Sequence, residues 1–158
     1  IINVSGDLLK SDCDVIFHQA NCRKTMGSGI AKQVKATYPE AYDADVNSLL
    51  QSEERLGNYS SAVAFNGQKY IEVVNLYGQF DYGLDKQHTN YEALESALIN
   101  YFTVKQDSDG GLVDIKFGLP TKMGCARGGG DWNIVLKILE EVAARFNVNL
   151  YTYKLEVS

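Results

Sequence analysis

Val15-Ile16-Phe17-His18-Gln19-Ala20-Asn21-Cys22-Arg23-Lys24-Thr25-Met26-Gly27-Ser28-Gly29-Ile30-Ala31 is the stretch that decides the fold. Val15-Ile16-Phe17 is a β-branched and aromatic run of the kind that forms a strand, and it ends in polar His18-Gln19. A loop containing Gly27 and Gly29 follows, and Ile30 to Thr37 reads as a helix. Strand, loop, helix in that order is the repeating unit of α/β proteins, and the rest of the chain keeps the alternation.

Upstream, the first residues read as a strand. Downstream, Pro39 permits a new helix start and Ala41 to Gln51 continues it. Tyr59 to Phe65 and Tyr70 to Asn75 are strand-like runs separated by Asn66-Gly67, a dipeptide suited to the positive φ angles of a tight hairpin turn. Leu76 to His88 mixes glycines, aromatics and charges without a period and reads as a long loop. Thr89 with Glu92 matches a capping box, and Leu94, Ala97, Leu98, Tyr101 and Phe102 then line one helical face. Gln106 to Gly111 breaks that helix, and Leu112 to Leu119 reads as a strand ending at Pro120. Asp131 is an N-cap candidate for a helix whose apolar positions, from Trp132 through Val135, Leu136, Leu139, Val142 and Ala143 to Phe146, recur at helical spacing. Asn149 to Lys154 is the last strand. The expectation is one domain over residues 1–158, a three-layer α/β/α fold with a mixed central sheet, since the hairpin interrupts the parallel connections.

Composition narrows the function classes. The chain has 158 residues, 45% hydrophobic and 22% charged, enough to bury roughly 70% of its unfolded surface without disulfides or metals. Fifteen basic residues against twenty acidic ones leave a net charge of −5, which disfavours general nucleic-acid binding through counterion release. Apolar runs are strand-sized, short of the roughly 20 residues that span a bilayer, so a soluble, cytoplasmic protein without membrane contact is expected, as a monomer. Cys13, Cys22 and Cys125 lack C-x-x-C spacing, and neither a disulfide framework nor a metal site is expected. The numbering opens on Ile1, and a natural N-terminal extension stays open.

Ligands of α/β sheets collect beyond the strand C-termini, and two loops qualify. His18 to Ala31 carries Gly27-Ser28-Gly29 at a helix start, where glycines let the backbone approach an oxyanion and the free N–H groups of the first turn point at it. Gly124-Cys125-Ala126-Arg127-Gly128-Gly129-Gly130 also follows a strand and precedes a helix, giving a second nest, and two facing nests suit a pyrophosphate. Common phosphate and nucleophile motifs fail here. A dinucleotide fingerprint requires glycine at Lys32, a P-loop requires an absent Gly-Lys-Ser/Thr, and a serine-hydrolase elbow requires glycines at Met26 and Ile30.

With these loops in place the chain resembles the macrodomains, which bind ADP-ribose and related nucleotides. Gly6-Asp7-Leu8-Leu9 matches the family's early Gly-Asp-hydrophobic signature, so Asp7, with Leu8 beside it, is implied to contact adenine. Phe17-His18-Gln19-Ala20-Asn21 stands where many macrodomains have Val-Asn-Ala-Ala-Asn, which implies that Asn21 contacts the distal ribose. Gly27-Ser28-Gly29-Ile30-Ala31 matches the Gly-Gly-Gly-Val-Ala diphosphate loop with one glycine replaced, and Gly124 to Gly130 takes the place of the second phosphate loop. The His18-x-x-Asn21-Cys22 stretch, Thr37-Tyr38-Pro39 and Thr89-Asn90-Tyr91 look like the ADP-ribose-1''-phosphate phosphatase branch. The lysine and aspartate of the glutamate-directed glycohydrolase branch align near Tyr77-Gly78 and Gly128, where neither is present. The aromatic of the second loop is also absent, and Phe80 or Tyr82 is expected to cover the distal ribose instead.

The resemblance implies hydrolysis of ADP-ribose 1''-phosphate by water, with no cofactor. Backbone N–H groups of Gly27, Ser28, Gly29 and Ile30, and of the second loop from Gly124, Cys125 and Ala126 to Gly128 and Gly129, would hold the phosphates. Asn21 would orient the ribose, and His18 and Asp131 would handle proton transfer. His18 equally reads as a buried histidine shaping the loop, Asp131 as a helix cap, and Arg127 as either a phosphate fork or a solvated loop residue. Trp132 reads as core, and Glu140-Glu141 as a solvated face. Two alternatives accompany this reading: a hydrolase removing ADP-ribose from a modified protein or nucleic acid, and a noncatalytic module for ADP-ribose derivatives.

Overall fold

A computed structural model describes residues 1–83, 87–126 and 128–155. Six strands of the described residues form one sheet: β1 (Ile2–Ser5), β2 (Val15–Ala20), β3 (Tyr59–Phe65), β4 (Tyr70–Tyr77), β5 (Phe117–Pro120) and β6 (Leu150–Lys154). Their spatial order is β1-β6-β5-β2-β4-β3, parallel throughout except for the β3–β4 hairpin. Among the described residues, five α-helices accompany them: α1 (Gly29–Thr37), α2 (Pro39–Val46), α3 (Ser52–Arg55), α4 (Tyr91–Gln106) and α5 (Trp132–Phe146). The mixed sheet with helices on both faces is the three-layer arrangement expected.

All six side chains of β2 are buried, so the strand is covered on both faces. Successive side chains of a strand point to opposite faces. Val15 and Phe17 join Val74, Leu76, Phe117 and Leu119 against the apolar faces of α4 and α5. Ile16 joins Ile71 and Val73 against Val34 of α1, Ala41 of α2 and Tyr38 between the two helices. Phe17 meets Tyr101 edge to face at 5.0 Å, tying the central strand to α4. Gly118 is required by close approach, since a Cβ there would lie 2.5 Å from Cys13 Sγ and 2.9 Å from Leu8 Cδ1.

Local chemistry corrects several expected boundaries. The cap of α4 is Asn90, whose side chain accepts from Ala93 N, while Thr89 turns inward. The strand expected from Leu112 begins only at Phe117. Gly110, Gly111 and Asp114 take positive φ and keep 110–114 in turns, although Leu112 and Ile115 still pack on the core. In the hairpin the positive φ belongs to Gly67 alone, at +99°, and Asn66 acts through its side chain, which accepts from Gln68 N and Lys69 N. β4 runs on to Tyr77, two residues beyond the expected end.

The helix expected to reach Gln51 stops at Val46, because the chain doubles back to bury an ion pair. Arg55 of α3 and Asp45 of α2 have no side-chain exposure and meet at 3.0 Å from Nη1 to Oδ1. Tyr77 OH donates to the same Oδ1 at 2.7 Å, and the guanidinium lies 5.0 Å from the Tyr77 ring centroid. Removing one partner of such a pair strands a charge in the interior, a loss of about 3–5 kcal/mol. Arg55→Leu is therefore expected to lose about that much in urea denaturation, and adding Asp45→Asn should recover a large part of it. An unchanged midpoint in the single variant would remove the pair from the stability argument.

Candidate functional site

β2 and β5 are neighbours and parallel, so both of their glycine loops leave the sheet side by side at its C-terminal edge. Between them lies a cleft of about 560 Å³. The β2 exit supplies Gln19, Ala20 and Asn21, and the first loop supplies Thr25 and Gly27 to Ala31. Gln79, Tyr82 and Gly83 come from the segment after β4, while Pro120 to Gly124, Ala126 and Gly128 form the opposite wall.

The first wall ends at the start of α1. Ser28 is the N-cap by position, yet its side chain makes no capping hydrogen bond. The first-turn N–H groups of Ile30 and Ala31, which line the cleft, are thus left for a ligand. A helix terminus favours an anion by about 0.3–1 kcal/mol when exposed and up to about 2 kcal/mol when partly buried. Gly29 has φ +60°, a left-handed conformation that favours glycine.

The second wall is a nest whose carbonyls are held away from the ligand side. Gly124 O accepts from Thr89 Oγ1 at 2.6 Å and from Gly130 N at 2.9 Å. Gly128 O accepts from His88 N and Thr89 N at 2.7 and 2.9 Å. Among the described residues, the N–H groups of Ala126, Gly128 and Gly129 have no backbone partner. Lys122 is a cation in the wall, and no described wall residue is a carboxylate or an imidazole. The cleft is built to receive negative charge, largely through main-chain dipoles.

Of the residues expected from sequence, the walls contain Asn21, Gly27, Ser28, Gly29, Ile30, Gly124, Ala126 and Gly128; Gly129 continues the same loop. Asn21 is partly committed to its own turn. Its Nδ2 donates to Thr25 O and Oγ1 at 3.1 and 2.9 Å, and its Oδ1 accepts from Arg23 N at 2.8 Å, so its spare capacity lies at Oδ1.

Other expected residues stand elsewhere. His18 alternates with Gln19 on β2 and faces α2, fully buried, with Nε2 2.5 Å from Asn75 Oδ1. Burial lowers its pKa, against the raising effects of the Asn75 bond and the Asp45 charge, so the ring stays neutral and shapes the interior rather than reaching the cleft. Asp131 caps α5 by accepting from Asn133 N at 2.9 Å and is not in the cleft wall. Asp7 accepts from Leu9 N as the cap of a 3₁₀ turn, and Leu8 is buried against β5; neither lines the cleft. Phe80 packs on Ala20, Cys22 and Tyr77 beneath the guanidinium of Arg23, and Tyr82 takes the cleft position instead. Cys125 turns back to Met123 O and burial raises its thiol pKa, while burial pushes the Cys22 thiol up to about 11, so neither is a ready thiolate. Arg127 lies outside the described residues. No group of three or more His, Cys, Asp or Glu suited to a metal occurs among the described residues.

Sequence reasoning missed Gln19, Thr25, Gln79 and Thr89. A signal for Gln19 was present: a long polar side chain at the end of an apolar strand whose alternation sends it to the α4 side.

No model of a known protein family matches the sequence. The chain is 28% identical over 151 residues to an uncharacterized 17.5 kDa protein of enterobacteria phage T4, covering 92% of this chain and 91% of that one. It is 40% identical over 53 residues to a DNA ADP-ribosyl glycohydrolase of Mycobacterium tuberculosis, a match covering 34% of this chain and 15% of that protein. Among solved structures, the macrodomain of Mycobacterium tuberculosis DarG superposes with a TM-score of 0.75 at 25% identity, covering 96% of this chain and 95% of that one. Thermosipho africanus DarTG in complex with ADP-ribose superposes with a TM-score of 0.68 at 18% identity, covering 99% of this chain and 42% of that one. The chain has the α/β/α fold of these macrodomains.

The placement of His18 has a pH signature. A buried imidazole held neutral stabilises the fold above the unfolded value of about 6.5 and loses that contribution as pH falls below it, because the unfolded chain then takes up the proton. The urea midpoint of the native protein should therefore fall more steeply below about pH 6.5 than that of His18→Gln. Equal slopes would show that His18 is not held neutral by burial.

Proposed function

We infer that the cleft binds ADP-ribose and that the chain hydrolyses ADP-ribose 1''-phosphate to ADP-ribose and phosphate. The observation that carries this reading is the pair of facing walls with unpaired N–H groups on each and no described carboxylate between them. Such donors are fixed before the reaction and stabilise charge developing on phosphoryl oxygens without reorganising. Water attacks phosphorus in line with the bond to the 1''-oxygen, and that bond breaks. The departing oxygen takes a proton from solvent, and the water proton leaves to solvent. The anomeric oxygen departs more readily than an ordinary sugar hydroxyl because the ring oxygen withdraws charge from it. A site of main-chain donors without a side-chain acid suits that leaving group. Asn21 Oδ1 would accept from a ribose hydroxyl at the β2 exit.

The local match to a DNA ADP-ribosyl glycohydrolase favours a second reading, release of ADP-ribose from a modified nucleic acid in the same cleft.

Chromatography of ADP-ribose 1''-phosphate incubated with the protein should show phosphate and ADP-ribose rising together over many turnovers. An ADP-ribosylated oligonucleotide run in parallel tests the second reading. Turnover of the oligonucleotide alone replaces the phosphatase with the glycohydrolase, and binding of ADP-ribose by calorimetry without turnover of either leaves a binding module. Asn21→Ala should weaken ADP-ribose by about tenfold, near 1.4 kcal/mol.

A further inference from the structure

One side chain in the cleft floor is arranged differently from the family pattern that the chain resembles. Gln19 stands where many macrodomains have alanine, and its carboxamide is buried among four chain segments. Nε2 donates to Gln79 Oε1 and to Thr89 Oγ1, both at 2.8 Å, spending both of its hydrogens. Thr89 Oγ1 then donates to Gly124 O at 2.6 Å. Room for this relay comes from glycines. A Cβ on Gly78 would lie 2.4 Å from Gln19 Oε1, and one on Gly128 would lie 2.2 Å from Thr89 Oγ1.

The relay has a cost. Among the described residues, Gln19 Oε1 is buried without a hydrogen-bond partner. An alanine would bury no such oxygen, so the carboxamide is informative through the two bonds that its nitrogen makes. Those bonds act on the second wall. Thr89 takes the Gly124 carbonyl through its hydroxyl and the Gly128 carbonyl through its N–H, which fixes two peptide planes of the loop with their oxygens toward α4. Cys125 N–H, in the first of those planes, is taken by Lys122 O at 2.9 Å, whereas Gly129 N–H, in the second, and the N–H groups of Ala126 and Gly128 have no backbone partner among the described residues.

We propose that Gln19 and Thr89 are positioning residues for the second anion nest: the relay from Gln19 Nε2 through Thr89 Oγ1 holds the Gly124 carbonyl directly and keeps Thr89 in place to hold that of Gly128 through its N–H, so that the N–H groups of Ala126, Gly128 and Gly129 grip the diphosphate. This rests on the reading of the cleft as an ADP-ribose site. Neither side chain needs to touch the ligand. Thr89→Val keeps the shape and removes the hydroxyl, Thr89→Ser keeps the hydroxyl, and Gln19→Met fills the space without donors.

Titration calorimetry with ADP-ribose and, separately, with inorganic pyrophosphate reads the nest with and without the nucleosides. Thr89→Val and Gln19→Met should each weaken both probes by about ten- to a hundredfold, and Thr89→Ser should restore native affinity. The Gln19 variant keeps the test standing if the valine variant does not fold. Native affinity for both probes in the folded variants overturns the relay, as does weakened ADP-ribose with unchanged pyrophosphate. A serine variant as weak as the valine variant also overturns it. If the native protein takes pyrophosphate but not ADP-ribose, and the variants lose it, the relay stands and the ADP-ribose reading falls. If it takes neither, both fall.

Discussion

The burial of β2 on both faces is the constraint from which the rest follows. A strand in that position cannot leave a polar side chain to solvent, and an unpaired buried donor or acceptor costs about 1–3 kcal/mol. Yet β2 carries His18 and Gln19 near its end, one residue for each face. The structure answers with two polar clusters, back to back through the strand. His18 meets Asn75, whose amide also reaches Ala41 O and Ser60 Oγ at 2.9 and 3.0 Å. Gln19 meets Gln79 and Thr89. The first cluster fastens α2 to the sheet, and the second fastens the segment before α4 to the glycine loop after β5.

That pleat also explains which parts of the site were legible. The glycine loops were readable because Gly27, Ser28 and Gly29 before an apolar helix, and Gly128, Gly129 and Gly130 before another, are local patterns. The order β5-β2-β4 was not local, and it alone makes the two loops walls of one cleft. Asn21 was readable as a strand-exit residue, but its commitment to Thr25 depends on how the 21–25 turn closes. His18 misled for the opposite reason. A histidine near a glycine-rich anion loop invites a catalytic role, and only the one-residue alternation between His18 and Gln19 decides that the amide, not the imidazole, goes to the cleft.

Elements placed by periodicity held where packing and periodicity agree, as in α5, whose Val135, Leu139 and Val142 are buried and whose cap is Asp131. They moved where a polar group won. Asp45 and Arg55 drew the chain into a buried pair and cut short the helix after Pro39. Leu112 and Ile115 looked like strand residues because they do pack on the core, but Leu112 does so from a turn and Ile115 from the irregular stretch just before β5. Thr89 resembled a cap in sequence because hydroxyls cap helices well. In the fold its hydroxyl serves the glycine loop, and the adjacent Asn90 caps α4.

Net charge describes the whole molecule and not its cleft. Between Val15 and Pro39, and between Ile115 and Gly130, the chain contains no acidic residue, while Arg23, Lys24, Lys32, Lys35, Lys116, Lys122 and Arg127 fall there. All twenty carboxylates lie outside those two stretches. An acidic protein can therefore present an anion-receptive cleft, because the field that a bound phosphate senses comes from nearby dipoles and charges, whereas remote carboxylates are screened over a Debye length of about 8 Å. Arg23 is already turned to Asp81 at 3.3 Å on the exposed side, and Lys116 to Asp12 at 2.7 Å, so these two add little to that field. What remains in the walls is mainly backbone. A site made of peptide N–H groups depends on the orientation of its peptide planes more than on any charged side chain, which is why the neutral relay behind the second wall matters to it.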